Sequence, residues 1–442
     1  MKDNLVYTND APRARGRIGL LDHLARKALL SAFAKIEYGQ LTIVEGDRIH
    51  HFGRKCDAFP CQVRVNVHDS RFWGEIGFGG SVGAGESYMH KLWDCDRLTE
   101  LVRLFVRNRH VLDRLDSGMA RVTQPVNRMI HALRRNSRPG SRRNIAAHYD
   151  LGNDMFASFL DETMMYSCGI FEHPGAAMKE ASIAKIDRIC KKLDLRPQDR
   201  VIEIGTGWGG FAIHAARHYG CHVTTTTISR EQFEYAQARV REQGLEHRIT
   251  LQLRDYRELE GVYDKLVSIE MIEAVGHQFM DTFFAKCSSL LRADGSMLLQ
   301  AITLADQRYD EARRSVDFIQ KHIFPGGFIP SVTAMTSSTT RKTDMRLFHL
   351  EDIGPHYATT LRRWRERFFR NVNAIRALGY PQSFVRMWEY YLCYCEGGFE
   401  ERVIGTAQLL FVKPMCRRES ILPALDGGGP GPGEPLPWAR SA

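Results

Sequence analysis

The sequence predicts an α/β fold: a doubly wound, mainly parallel sheet preceded by a smaller α+β N-terminal domain. Three observations carry this. From Arg200 onward, short apolar strands alternate with helical stretches, the pattern of βαβ units. The first of those strands runs into a glycine-rich turn, Gly205-Thr206-Gly207-Trp208-Gly209-Gly210, which opens a helix. Before position 140 the signals are an amphipathic helix and period-two strands, without that alternation.

In chain order, residues 20–36 place Leu21, Leu24, Ala28, Leu29 and Phe33 at helical spacing. Strands follow at 41–44 and 48–52 around the turn Glu45-Gly46. A third is signalled by Val63, Val65 and Val67 alternating with Arg64 and Asn66. Residues 76–85 are glycine-rich and carry little helical signal, and 98–106 read as a helix. The stretch 134–143, RRNSRPGSRR, is polar, holds five Arg and contains Pro139-Gly140, so it marks a linker. It divides an N-terminal domain, 1–140, from a second domain, 141–415. Residues 416–442, with GGGPGPG and PLP, are expected to be a disordered tail. Within the second domain, strands are expected at 200–204, 222–227, 249–253, 265–269 and 297–302, and helices at 211–218 and 231–241.

Composition narrows the function classes. The chain has 442 residues, 61 Lys and Arg against 52 Asp and Glu, and a net charge of +9. With 43% hydrophobic and 26% charged residues it is not a disordered polyelectrolyte. Ten Cys are scattered without paired C-x-x-C spacing, so no zinc or other metal site is expected. No apolar run approaches the ~18 residues that span a bilayer, and no cleavage pattern opens the chain. A cytoplasmic protein with reduced thiols is expected. A pI near 9.0 suits nucleic acid, an anionic membrane surface or an acidic substrate, and equally a solvated basic surface.

Gly205, Gly207 and Gly210 satisfy G-x-G-x-x-G, which fits a dinucleotide or S-adenosylmethionine. Glu203, two residues before the first glycine, would repel a pyrophosphate but could order the loop or engage an amino group. The strand 222–227 ends without the acidic residue that holds an NAD ribose, whereas Ser229 and Gln232 could bond one. Asp255 could meet the adenine amino group beside the Tyr256 ring. Together these favour S-adenosylmethionine.

Further motifs are more specific. Residues 144–154, NIAAHYDLGND, are followed by Tyr166-Ser167-Cys168, VIEIGTGWGG at 201–210, Thr227-Ile228-Ser229 with Gln232, and MIEAVG at 271–276. Then come IFPGG at 323–327, EDIGPHY at 351–357 and WRERF at 364–368. In this order they resemble the cyclopropane-fatty-acyl-phospholipid synthase family, including the mycolic acid cyclopropane synthases, over about 144–414. The resemblance implies a seven-stranded class I methyltransferase sheet. It implies attack by an acyl-chain cis double bond on the sulfonium methyl, then loss of a proton from that methyl and ring closure, with bound bicarbonate as base. By motif position Tyr166, Ser167, Glu203, Gly205, Gly207, Trp208, Gly209, Thr227, Ser229, Gln232, Asp255 and Tyr256 hold S-adenosylmethionine. Cys168, Glu273, Gln300, the Ile302 backbone and Tyr357 hold the bicarbonate, with Glu273 beside it as a proton relay. Tyr166, Phe171, Trp208 and Tyr357 are the aromatic faces that would line a carbocation site.

Two departures stand out: Gln300 replaces a common His and cannot take a proton, and Thr206 replaces a common Cys. The implied partners are an unsaturated phospholipid and an anionic membrane surface, with peripheral attachment to the inner face of the cell membrane. A homodimer is expected and nucleic acid is not. Alternatives from the residues are a lipid C-methyltransferase giving a methyl-branched chain, an NAD-dependent oxidoreductase, and a lipid-binding protein without catalysis.

Overall fold

The computed structural model describes residues 20–111 and 152–422. The basic linker 134–143, most of NIAAHYDLGND, and 423–442 of the expected tail lie outside them. The first helix, α1 (Leu20–Phe33), is followed by a hairpin of β1 (Gly39–Glu45) and β2 (Arg48–Arg54), turning at Gly46 with φ 57°. Strand β3 (Gln62–Val67) pairs parallel to β1, and β4 (Trp93–Cys95) closes a four-stranded sheet in the order β2-β1-β3-β4. Leu41, Ile43, Val63 and Val65 point to one face and are buried, as their period-two spacing requires.

The glycine-rich stretch 76–85 corrects the sequence reading, because it lies inside a helix, α2 (Arg71–Met89), broken only at Gly80 (φ 56°). Close packing outweighs propensity there. A Cβ on Gly85 would come within 2.3 Å of the Phe318 ring, and one on Gly74 within 2.2 Å of Asp22 Oδ1. Glycine's cost of about 1 kcal/mol in a helix is offset by contacts that no larger residue could make. Helix α3 (Leu98–Arg107) completes this unit.

The remaining chain builds a seven-stranded sheet from β5 (Arg200–Ile204), β6 (His222–Thr227), β7 (Ile249–Leu253), β8 (Tyr263–Ile269), β9 (Leu291–Leu304), β10 (Arg346–Asp352) and β11 (Ile404–Val412). Its order is β10-β11-β9-β8-β5-β6-β7. Strands β5 to β9 pair in parallel, and β11 runs antiparallel to both its neighbours. Strand β5 therefore sits at the switch point, with β6 on one side and β8 on the other. Ligands bind outside the carboxyl ends of strands at that point.

Helices α4 (Met178–Leu193), α5 (Gly210–His214) and α6 (Arg230–Glu242) flank this sheet. Helices α7 (Gly354–Arg370) and α8 (Gln382–Glu400) add a layer that meets the N-terminal unit. Arg386 on α8 donates to the backbone oxygens of Tyr88 (2.6 Å) and Trp93 (2.8 Å). Gly397 lets α8 approach α3, since a Cβ there would come within 2.8 Å of Val102. One buried apolar cluster runs from Leu29 through Trp93 and Leu104 to Trp364 and Trp388, so the two units share a core.

Candidate active site

The turn after β5 is shaped by its backbone. Gly205 (φ 102°), Gly207 (φ 52°) and Gly209 (φ 88°) take left-handed conformations that side chains disfavour. A Cβ on Gly207 would meet no atom of the described residues beyond its chain neighbours within 4 Å, so this glycine presents open backbone to the neighbouring cavity. Glu203 is 2% exposed and accepts from Thr225 Oγ1 at 2.6 Å, and Thr225 is 2.7 Å from Thr206 Oγ1. This chain ties the turn to β6, which gives Thr206 a role. Burial pushes the Glu203 carboxyl up to about 8. Across the turn, Thr227 Oγ1 donates to Gln232 Oε1 at 2.9 Å. Both oxygens of Asp255 are gripped by Arg257, at 2.7 and 2.6 Å, and Oδ1 also accepts from the Arg257 backbone N–H at 3.0 Å. The Tyr256 ring stands edge-on to Phe283.

A second group of side chains lies at the ends of β8 and β9. Glu270, just past β8, has φ 50°. Its Oε1 accepts from the backbone N–H of Cys168 (3.0 Å) and from Gln300 Nε2 (2.8 Å), and its Oε2 accepts from the Tyr357 hydroxyl (2.6 Å). Gln300 is fully buried, and its Oε1 accepts from Gln408 Nε2, whose Oε1 accepts from Lys192. Glu273 Oε1 accepts from the Ile302 N–H at 2.6 Å, while its buried Oε2 has no partner among the described residues. Burial and the nearby Glu270 charge raise Glu273 to about 8. Lys185 is fully buried, donates to Ser167 Oγ at 2.8 Å, and is lowered to about 8 by burial against the pull of Glu270, Asp161 and Glu203.

Both groups open on one cavity of about 1190 Å³. It extends past Tyr166, Tyr357 and Phe399 to Phe33, Leu41, Trp93 and Leu101 of the N-terminal unit. Tyr166 bonds Tyr391 hydroxyl to hydroxyl at 2.9 Å, and Trp208 donates to Asn153 Oδ1 at 2.7 Å. The volume exceeds the ~300–1,000 Å³ of a pocket for one small ligand.

Residues 136–409 match the family model for mycolic acid cyclopropane synthetase. The chain belongs to that family. It is 40% identical over 356 residues to tuberculostearic acid methyltransferase UfaA1 of Mycobacterium tuberculosis, covering 76% of this chain and 80% of the relative. It is 37% identical over 360 residues to cyclopropane-fatty-acyl-phospholipid synthase of Escherichia coli K12, covering 80% and 88%. The solved cyclopropane synthase MmaA2 of M. tuberculosis superposes with TM-score 0.58 at 30% identity, covering 62% of this chain and 98% of its own. Mycolic acid cyclopropane synthase CmaA1, solved with SAH and CTAB, superposes with TM-score 0.56 at 31% identity, covering 62% and 98%. As a cyclopropane synthetase family member with the seven-stranded methyltransferase sheet, the chain is an S-adenosylmethionine-dependent methyltransferase.

Within this family member, Tyr166, Ser167, Glu203, Gly205, Gly207 and Trp208 all line the cavity, as do Thr227, Gln232, Asp255 and Tyr256. The open backbone at Gly207 and the polar groups at the ends of β6 and β7 fit S-adenosylmethionine. Two of the expected cofactor residues lie off the cavity wall. Ser229 caps α6, accepting from the Gln232 N–H, and is not on the cavity wall. Gly209 is also off the wall, and a Cβ there would press on Ala236 of α6 at 3.3 Å, so a glycine lets the turn pack closely on that helix. Phe171 stacks on His356 and does not line the cavity either.

Of the expected anion site, Glu273, Ile302 and Tyr357 reach the cavity and Cys168 and Gln300 lie behind it. The sequence reading missed Glu270 and Lys185. The donors do not fit a bound bicarbonate. The Cys168 N–H, the Tyr357 O–H and the Ile302 N–H each have one hydrogen, and each is engaged by a carboxylate of this chain.

Proposed function

We propose that the protein transfers the methyl carbon of S-adenosylmethionine to a cis double bond in an unsaturated phospholipid acyl chain and closes a cyclopropane ring. The observation that carries this reading is the single cavity. It joins the glycine turn to two carboxylates and continues along apolar walls into the N-terminal unit. S-adenosylmethionine, when bound, supplies an electrophilic methyl group. Gly205, Gly207, Gln232 and Asp255 position it at the ends of β5 to β7. Tyr166, Trp208, Tyr357 and Phe399 keep water from the reacting carbon and offer aromatic faces, each worth about 2 kcal/mol to a desolvated cation. The N-terminal unit, through Phe33, Leu41 and Leu101, houses the remainder of the acyl chain. The net charge of +9 supports reversible attachment to an anionic membrane surface from the cytoplasmic side.

A methyl-branched product is the second reading, favoured by the 40% identity to a tuberculostearic acid methyltransferase. In that route the cation loses a proton to leave an exomethylene group, which a separate reductase must then supply with a hydride and a proton. Incubation with methyl-labelled S-adenosylmethionine and vesicles of dioleoyl phosphatidylglycerol and phosphatidylethanolamine tests both. A labelled acyl chain, heavier by one methylene and resistant to catalytic hydrogenation, is the expected result. A labelled chain that takes up hydrogen supports the second reading, and no label in lipid rejects both. Vesicle binding that does not weaken with salt would remove the electrostatic attachment.

A further inference from the structure

Methylation of an alkene leaves a cation that must lose a proton, and the proton must go somewhere. The family resemblance assigns that task to a bound bicarbonate held by Cys168, Gln300, Tyr357, Glu273 and the Ile302 backbone. In this chain the place is taken. The Glu270 carboxylate receives the Cys168 N–H, the Gln300 amide and the Tyr357 hydroxyl, a planar three-atom anion in the same cradle of donors. The Ile302 N–H is held by Glu273. A free anion here would lie against the Glu270 carboxylate with the single-hydrogen donors already spent, which disfavours its binding by charge and by unpaired lone pairs.

Glu270 is also built to stay. Its own N–H donates to the Gln300 backbone oxygen at 2.8 Å, and its left-handed backbone turns the side chain back from the end of β8. That conformation costs a non-glycine residue on the order of 1–3 kcal/mol, a strain tolerated where the surroundings fix it. The chain Lys192–Gln408–Gln300 sets the Gln300 amide so that its nitrogen, not its oxygen, faces the carboxylate. Glu270 and Glu273 both line the cavity wall.

We propose that Glu270 accepts the proton lost from the transferred methyl carbon, in place of bicarbonate, so that turnover needs no bicarbonate. The inference rests on the acyl-chain methylation reading above. In the step, the C–H bond of the transferred methyl breaks and its electron pair forms the second ring bond to the cationic carbon. The proton goes to a Glu270 carboxylate oxygen, leaving a neutral carboxylic acid that solvent deprotonates before the next turnover. The same proton loss would serve the methyl-branched route, so the proposal does not depend on which product forms.

The test compares rates in decarbonated and bicarbonate-supplemented buffer, with dioleoyl phosphatidylglycerol vesicles and S-adenosylmethionine. The wild type is expected to turn over equally in both. Glu270→Gln, which fills the same space, is expected to lose roughly 10²–10⁴ in rate and to gain nothing from bicarbonate. Glu270→Gly vacates the cradle and relieves the left-handed strain. It is expected to be inactive in decarbonated buffer and to recover about tenfold or more with bicarbonate or formate. Cofactor affinity by calorimetry and the melting temperature report whether each variant is folded. If Glu270→Gly fails to fold, Glu270→Gln and the wild type still decide. A wild type that loses its activity on removal of bicarbonate, or a Glu270→Gln variant with wild-type rate, overturns the proposal. A wild type that labels no lipid in either buffer fails the methylation reading instead.

Discussion

The glycine turn and the carboxylate pocket lie at the ends of adjoining strands and open on one cavity, yet they hold their shapes by opposite means. The turn spans six consecutive residues and is held by backbone, with three left-handed glycines and one threonine tie. The pocket draws Cys168, Glu270, Glu273, Gln300 and Tyr357 from four separate segments and is held by side-chain hydrogen bonds away from bulk water. A turn of the first kind fails by steric intrusion and strain. A pocket of the second kind fails by losing a partner, which strands a buried charge.

Gly207→Val should separate the two most sharply. A β-branched residue at φ 52° is strained by about 1–3 kcal/mol, and its branches enter the cavity, so S-adenosylmethionine affinity should fall roughly 100-fold or more. Calorimetry checks this, and unchanged affinity would remove the turn from the cofactor site. Tyr357→Phe should do the converse. It deletes one donor to Glu270, a bond to a charged group worth about 1.5–3 kcal/mol, and should lower turnover roughly 10–100-fold with cofactor affinity intact. A parallel loss of affinity would show that the regions are not separable.

Gln300→His restores the residue common in the family, but its ring nitrogens diverge from the positions of the amide's nitrogen and oxygen, which weakens the bonds to Glu270 and Gln408. It should cost about 1–3 kcal/mol in denaturant unfolding. A variant as stable as the wild type would make the amide relay dispensable. A last effect concerns pH. Glu203 is raised from 4.5 to about 8 by burial, so its contribution to stability is fully present below about pH 4.5 and is lost as pH rises through about 8. Glu273 has the same sign, whereas Lys185, lowered from 10.5 to about 8, adds no slope below that pH. Between about pH 5 and pH 7.5, Glu203→Gln should melt with a flatter pH dependence than the wild type. An unchanged slope would mean that the carboxyl is not held neutral in the fold.

The same contrast governs what could be read from the sequence. The turn was legible because its function is written in adjacent residues, and β6 and β7 were placed at their observed bounds by branched and alternating residues. Four of the pocket's five residues, and Ile302, were found by resemblance to motifs. Glu270 was not, because a Glu three positions before Glu273 reads as an ordinary exposed carboxylate. Its left-handed backbone and its three donors exist only once β8, β9 and α7 are assembled. Lys185 sits in mid-helix on α4 with no signal beyond its neighbours. Helix α2 was hidden because its glycines satisfy contacts with Phe318 and Asp22 that lie far away in the chain.

Strand β11 follows every other described strand yet lies between β9 and β10, and it carries Gln408. A growing chain therefore receives its glycine turn about two hundred residues before it receives the amide that orients Gln300. Until 404–412 is added, β9 and β10 present unpaired edges, the kind of surface that recruits other chains. The glycine turn and the amide relay behind Glu270 thus arrive at different moments of synthesis.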